Sequence, residues 1–300
     1  MPVVGFINGG SSGGSAYLAA AFRQGLGETG FVEGSNVSVL ARWTDGQGDR
    51  VSGIVAEFVR LPVALIAAGG GGPVRRAAKA ATATIPVVFI TGSDPVTEGL
   101  VSNLARPQGN VTGVAVPTTS LNAKRLEILD QLVPRGNVIA VLGNPGMSWT
   151  DAREKDVQTA ARAMGRKVHV VTASNEREID AAFQSAVALR AGALLVSADP
   201  LFNGLLQQLV DLTRRYRLPA IFEWREFATA GGLMSYGSDI ANGYREAGVY
   251  AGRILNGTKP SQLPVLQATK FEFVINLATA KALGLTIPQS LLARADDVIR

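Results

Sequence analysis

Six short polar stretches, each following an apolar run, carry the side chains here that could recognise or transform a small molecule. They are N-G-G-S-S-G-G after Ile7, G-G-G-G-P after Ala68, T-G-S-D-P after Ile90, G-N-P-G-M-S-W after Leu142, S-A-D-P after Val196 and E-W-R-E after Phe222. Gly10–Gly14 fits G-x-S-x-G, a turn that can present a serine nucleophile. Such a serine needs a base, and the only histidine, His169, lies in K-V-H-V-V in the other half of the chain. A hydrolase using Ser12 is therefore the weaker alternative. The run from Gly69 departs from the dinucleotide fingerprint at Val74 and Arg75, and no G-K-[ST] follows. R-W-T-D-G-Q-G-D-R and S-A-D lack the spacing of a calcium loop, and a chain with no cysteine and one histidine offers no thiolate or His-cluster metal site. No metal and no cofactor are expected. What remains is non-covalent recognition through hydroxyls, amides, carboxylates and indoles.

The elements that must position these groups alternate. Val3–Ile7, Val37–Ala41, Val63–Ala67, Val87–Ile90 and Val111–Val116 are short continuous apolar runs, as in strands covered on both faces. Between them, Leu18, Phe22 and Leu26, then Val51, Ile54, Val55, Phe58 and Val59, then Val74, Ala77, Ala78 and Ala81 follow helical spacing. The pattern restarts with a helix over 124–133 and runs at 138–142, 168–171, 193–196, 220–222 and 233–236. PVVGFINGG echoes NVIAVLGNPG, and LPVALIAAGG echoes AGALLVSADP. The expected fold is α/β, with two doubly wound parallel-sheet lobes. In such sheets ligands sit at the carboxyl ends of strands, where loops lead into helix N-termini. Asp94 is expected to cap a helix beginning at Pro95.

The 300 residues are 47% hydrophobic with no disordered composition, enough for one large or two medium domains. No apolar run approaches the ~18 residues of a membrane span. The net charge of +5 is spread along the chain. The pairs Arg75-Arg76 and Arg214-Arg215 are read as solvated helix faces, so no nucleic-acid partner is expected.

V-V-F-I-T-G-S-D-P-V-T-E-G-L-V-S-N-L-A-R-P-Q-G-N-V-T-G-V, K-R-L-E-I-L-D-Q-L-V-P, I-A-V-L-G-N-P, A-G-G-L-M-S-Y-G and I-N-L-A-T-A-K-A-L-G-L-T-I-P resemble segments of a bacterial family of ABC-transporter solute-binding proteins. That family includes tryptophan-binding receptors, and the likeness spans nearly the whole chain. Gln108 stands where the family has glycine. The resemblance implies a type I periplasmic binding fold without catalysis. An N-terminal lobe (1–116 plus 240–267) and a C-terminal lobe (117–239 plus 268–300), joined by three hinge strands, would close over one solute. It also implies an inner-membrane ABC permease as partner, a monomer, and a periplasmic location with the export signal removed. A ligand-sensing regulatory module of the same fold is the rival; no helix-turn-helix precedes Val3.

None of these motifs names a solute; the residues at the strand ends suit an amino acid or an aromatic, planar compound, with an aromatic or branched amino acid, an aromatic acid and a small amide all open. Ser11, Ser12 and Ser93 would meet a carboxylate, with Gly70, Thr91 and Asp94 alongside on the first lobe. Asp199 would meet an ammonium, since it matches by position an aspartate of the tryptophan-binding relatives; Glu223 and Asp239 come next. Asn144, Trp149, Phe202, Trp224 and Tyr236 complete the set at strand ends of the second lobe, while Trp43 is read as structural.

Overall fold

The computed structural model describes residues 1–118, 121–134, 137–145 and 151–300, the side chains of 151 and 152 excepted. The chain divides into two compact units. Unit 1 is Met1–Pro117 with Ile240–Thr269, and unit 2 is Thr118–Asp239 with Lys270–Arg300, so the chain passes between them three times.

Unit 1 is built on a six-stranded sheet of β1 (Val3–Asn8), β2 (Ser38–Trp43), β3 (Val63–Gly69), β4 (Val87–Thr91), β5 (Val111–Ala115) and the short β11 (Leu266–Gln267), in the order β11-β5-β4-β3-β1-β2. All its pairings are parallel. The order reverses at β1: β2 lies on one side, β3 to β5 on the other. Helices α1 (Ser12–Glu28), α2 (Arg50–Arg60), α3 (Gly72–Ala81) and α10 (Ile240–Leu255) belong to this unit. The apolar spacing of α2 buries Val51, Val55 and Phe58 against the unit's core of Ile7, Ile66, Val74 and Phe89, with Ile54 partly buried beside them, whereas Val59, expected on the same face, is exposed.

Unit 2 repeats the plan with β6 (Val138–Gly143), β7 (Val168–Thr172), β8 (Ala191–Val196), β9 (Ala220–Phe222), β10 (Met234–Ser238), β12 (Phe271–Asn276) and β13 (Asp297–Ile299), ordered β13-β12-β10-β9-β8-β6-β7. The reversal falls at β6. The sheet is not wholly parallel, because β12 runs antiparallel to β10. Its helices are α4 (Asn122–Asp130), α5 (Asp151–Ala163), α6 (Glu176–Ala188), α7 (Pro200–Gly204), α8 (Leu206–Arg215), α9 (Arg225–Thr229), α11 (Leu277–Leu283) and α12 (Gln289–Leu292).

Two expectations are corrected. No helix starts at Pro95. Asp94 accepts from the Thr97 N–H at 2.7 Å, but the turn closes on itself, because Gly99 takes φ 70° and the Leu100 N–H returns to the Pro95 carbonyl. Leu100 and Val101 then enter the core. Arg75 is not solvated: its side chain is 6% exposed and forms a two-pronged pair with Glu98 (2.6 and 3.1 Å). After Pro200 the chain forms two helices rather than one, with Leu205 ending α7 and preceding α8.

Glycine sets how closely α1 and α10 pack. A Cβ on Gly25 would lie 1.9 Å from the Arg245 carbonyl oxygen, and one on Gly248 would lie 2.0 Å from that of Phe22. Both obstacles are backbone, so the helices must move apart to admit a methyl. Gly248→Ala is expected to cost ~1–3 kcal/mol despite alanine's better helix propensity. Thermal melting checks this; an unchanged or higher melting temperature would contradict the close crossing.

Candidate functional site

At the carboxyl edge of the unit 1 sheet, glycines open the switch between β1 and β3. The buried Asn8 accepts the Gly10 N–H through Oδ1 (2.8 Å) and donates from Nδ2 to the Tyr244 hydroxyl (2.7 Å). Gly70 adopts φ 71°, and a Cβ there would meet the Gly9 nitrogen at 2.3 Å, so only glycine fits. Burial pushes the Tyr244 hydroxyl well above the usual tyrosine range, which keeps it neutral and able to donate. Ser11 caps α1 by accepting the Gly14 N–H (3.1 Å), and Ser12, the first helical residue, is exposed.

One strand further, Thr91 is buried and donates to Glu98 at 2.8 Å, while its Oγ1 accepts the Ser93 N–H at 3.1 Å. Glu98 is thus shared between Arg75 and Thr91. Burial raises its pKa, but the Arg75 guanidinium, the Thr91 hydroxyl and the charge of Arg76 together lower it more, so it stays charged, held below the ordinary carboxylate range. The Arg75–Glu98 pair fixes the turn that presents Ser93.

Unit 2 concentrates its polar groups at the matching place. Asn144, after β6, donates from Nδ2 to Asp199 Oδ1 at 3.0 Å, and the same oxygen accepts the Leu201 N–H at 2.8 Å as cap of α7. Asn144 and Asp199 are 1% and 2% exposed. Glu223, at the end of β9 and 2% exposed, accepts the backbone N–H of Asp199. Burial pushes its carboxyl up to about 8; the Arg125 guanidinium opposes that rise, and the Asp199 carboxylate adds to it. Arg125 is itself fully buried, which brings it down to about 10 against the attraction of Glu223. Among the described residues, Ser197 Oγ, Glu223 Oε1, Trp224 Nε1 and Ser235 Oγ are buried without a hydrogen-bond partner. Leaving such atoms unmade costs ~1–3 kcal/mol each, so a cluster of them is a place prepared to bond something else.

Of the expected residues of unit 2, Asn144, Asp199 and Glu223 come together here, and Trp224 follows Glu223 with its indole buried. Phe202 is fully buried, and the Tyr236 ring packs on Phe271 and Phe273 of the neighbouring strand. Asp239 is exposed, and Trp149 lies outside the described residues. Sequence reasoning missed Asn8, Glu98, Arg125, Ser197 and Ser235. A signal existed for Arg125, which shares the buried face of α4 with Ile128 and Leu129, an unusual station for a charge. No group of three or more Asp, Glu or His is placed to hold a metal ion among the described residues.

The raised Glu223 carboxyl has a consequence for stability. Between its ordinary value of 4.5 and about 8 the folded protein keeps a proton that the unfolded chain has lost. That contribution is therefore complete below the unfolded pKa and is lost as pH rises through the folded one. Glu223→Gln, shaped like the neutral acid, is expected to flatten the decline of stability across this window. Denaturant midpoints at its two ends measure the slope, and equal slopes in both proteins would contradict the assignment.

Known proteins share this fold. A tyrosine-binding protein of Clostridioides difficile (strain R20291) is 26% identical over 264 residues, 88% of this chain and 75% of that one. Two solved structures share the fold: a conserved domain protein of Vibrio cholerae (TM-score 0.88, 24% identity) and the ABC domain of Streptococcus pneumonia in complex with L-Trp (TM-score 0.87, 23% identity). Each comparison covers 99% of both chains. Residues 11–299 match the family described as ABC transporter substrate binding protein, and the chain belongs to that family.

Proposed function

We propose that this chain is the extracytoplasmic, periplasmic receptor of an ABC importer, and that its solute is an amino acid with an aromatic or planar side chain. The observation that carries the reading is the buried carboxylate edge of unit 2, where Asp199 lies beside Glu223 with Asn144 as its neutral donor. A buried carboxylate is costly unless a cation and hydrogen bonds compensate it. A solute ammonium supplies both. The Trp224 indole at the same edge suits a flat side chain, and its Nε1 offers a donor. In unit 1, the N–H groups that open α1, with Ser11, Ser12 and Ser93, suit the solute carboxylate. The tyrosine- and L-Trp-binding relatives point the same way.

On this reading the protein works as a monomer and performs no chemical step. The three passages between the units act as hinges, the solute favours a closed form, and the membrane permease recognises that form. Compaction on adding the solute, followed by small-angle scattering, checks the closure; an unchanged radius of gyration at saturation would contradict it.

Asp199→Asn tests the ammonium assignment itself. The amide oxygen can keep both bonds that Oδ1 now accepts, so α7 stays capped and the melting temperature should hold. Binding should not survive, because a buried ammonium loses its counter-charge, costing ~2–5 kcal/mol or roughly 30-fold or more in affinity. The solute is identified first by native mass spectrometry of the purified protein and then titrated by calorimetry. Undiminished affinity in the variant would refute the assignment.

A further inference from the structure

Among the described residues, Arg125 is the largest side chain that the fold buries completely, and solute recognition as proposed does not touch it. It stands in the first turns of α4, the helix that follows the chain's first passage into unit 2. Its guanidinium is divided among two backbone carbonyls and one side-chain amide. Nη1 donates to the Thr118 carbonyl (3.2 Å) and to Asn122 Oδ1 (2.8 Å), and Nε donates to the Tyr236 carbonyl (2.7 Å). Thr118 is the first residue of unit 2 after that passage, and Asp239 is the last before the second, three residues beyond Tyr236. One arginine therefore holds both segments.

The remaining nitrogen, Nη2, is buried with no partner among the described residues, and so is Glu223 Oε1. The two groups feel each other's charge. They are also joined through the backbone, since Gly237, next to Tyr236, lies so close to the Glu223 carbonyl that a Cβ there would sit 1.9 Å from its oxygen. We propose that Arg125 is a positioning residue that ties the charge on Glu223 to the two backbone segments, at Thr118 and Tyr236, by which the chain enters and leaves unit 2.

The mechanism is electrostatic competition. While Glu223 is neutral, the guanidinium is held by the two carbonyls. When Glu223 ionises, Nη2 gains an anionic partner and the hold on the carbonyls relaxes. The charged groups acting on Glu223 are Arg125 from α4, Asp199 from the turn after β8 and Arg153 from α5, and burial places its titration near neutral pH. This deepens the receptor reading and rests on it: a solute cation at Asp199 would favour the ionised Glu223, and Arg125 would carry that change to the passages.

Hydrogen exchange by mass spectrometry on the ligand-free protein tests the coupling, with protection corrected for intrinsic exchange at about pH 6 and about pH 9. The reporters are Leu121, whose N–H bonds the Thr118 carbonyl, and Gly237 and Ser238 of β10; Leu142 of β6 and Leu195 of β8 serve as controls. Wild-type protein is expected to lose on the order of 10-fold protection at the reporters between the two conditions, with the controls unchanged. Glu223→Gln should abolish that loss. Arg125→Lys, which keeps the charge but cannot span both carbonyls, should leave the reporters weakly protected at both pH values. The proposal is overturned if Glu223→Gln keeps the wild-type response, if Arg125→Lys protects the reporters normally, or if protection falls evenly across unit 2. No solute enters this experiment, so its failure is separate from failure of the receptor reading, which the Asp199→Asn titration judges.

Discussion

The second unit is organised around the cost of keeping charge out of water. Asp199, Glu223 and Arg125 are all essentially buried, and isolated charges there would be unfavourable by several kcal/mol each. Each is met differently. Asp199 is given two hydrogen bonds on one oxygen, Glu223 is driven toward its neutral form, and Arg125 is surrounded by carbonyls. The surrounding architecture serves this arrangement. The β6 switch brings Asn144 beside Asp199, and Gly237 lets β10 approach the carbonyl of Glu223.

The first unit meets the same problem with a fixed ion pair. Arg75 and Glu98 satisfy each other in two bonds, and Thr91 takes a share of the carboxylate. Glu98, half-buried, is held charged where the fully buried Glu223 is pushed neutral. The difference is one of burial and of contact: Glu223 is the more deeply buried, and Arg75 is hydrogen-bonded to Glu98, whereas Arg125 and Glu223 each keep an unpartnered atom. A closed pair is rigid and suits a scaffold for Ser93. An unclosed one can respond to an arriving charge.

Much of this was legible in the sequence where the signal is periodic. The apolar runs gave the strands and the i, i+3, i+4 spacing gave the helices, because burial on two faces or on one leaves those patterns directly in the residues. The duplicated echoes PVVGFINGG and NVIAVLGNPG place Asn8 and Asn144 near corresponding strand ends. The sequence was less informative where long-range pairing decides. Arg75 reads as a surface residue until Glu98, more than twenty positions on, is seen to claim it, and Arg125 gains meaning only from carbonyls at Thr118 and Tyr236. Pro95 carries a good helix-start signal that Gly99 and the core demand of Leu100 override. Tyr236 and Phe202 are aromatic at suitable positions, and packing on Phe271 and Phe273 or full burial also engages their rings.

The central claim is that the carboxylate edge of unit 2 receives the ammonium group of an aromatic amino acid. The most direct measurement is a calorimetric comparison of L-tryptophan and L-tyrosine with their deaminated acids, which keep the ring and the carboxylate but lack the cation. The account predicts that at least one amino acid binds and that its deaminated acid is weaker by roughly 30-fold or more, the cost of leaving a buried carboxylate unpaired. Equal affinity for the amino acid and its deaminated counterpart would contradict it.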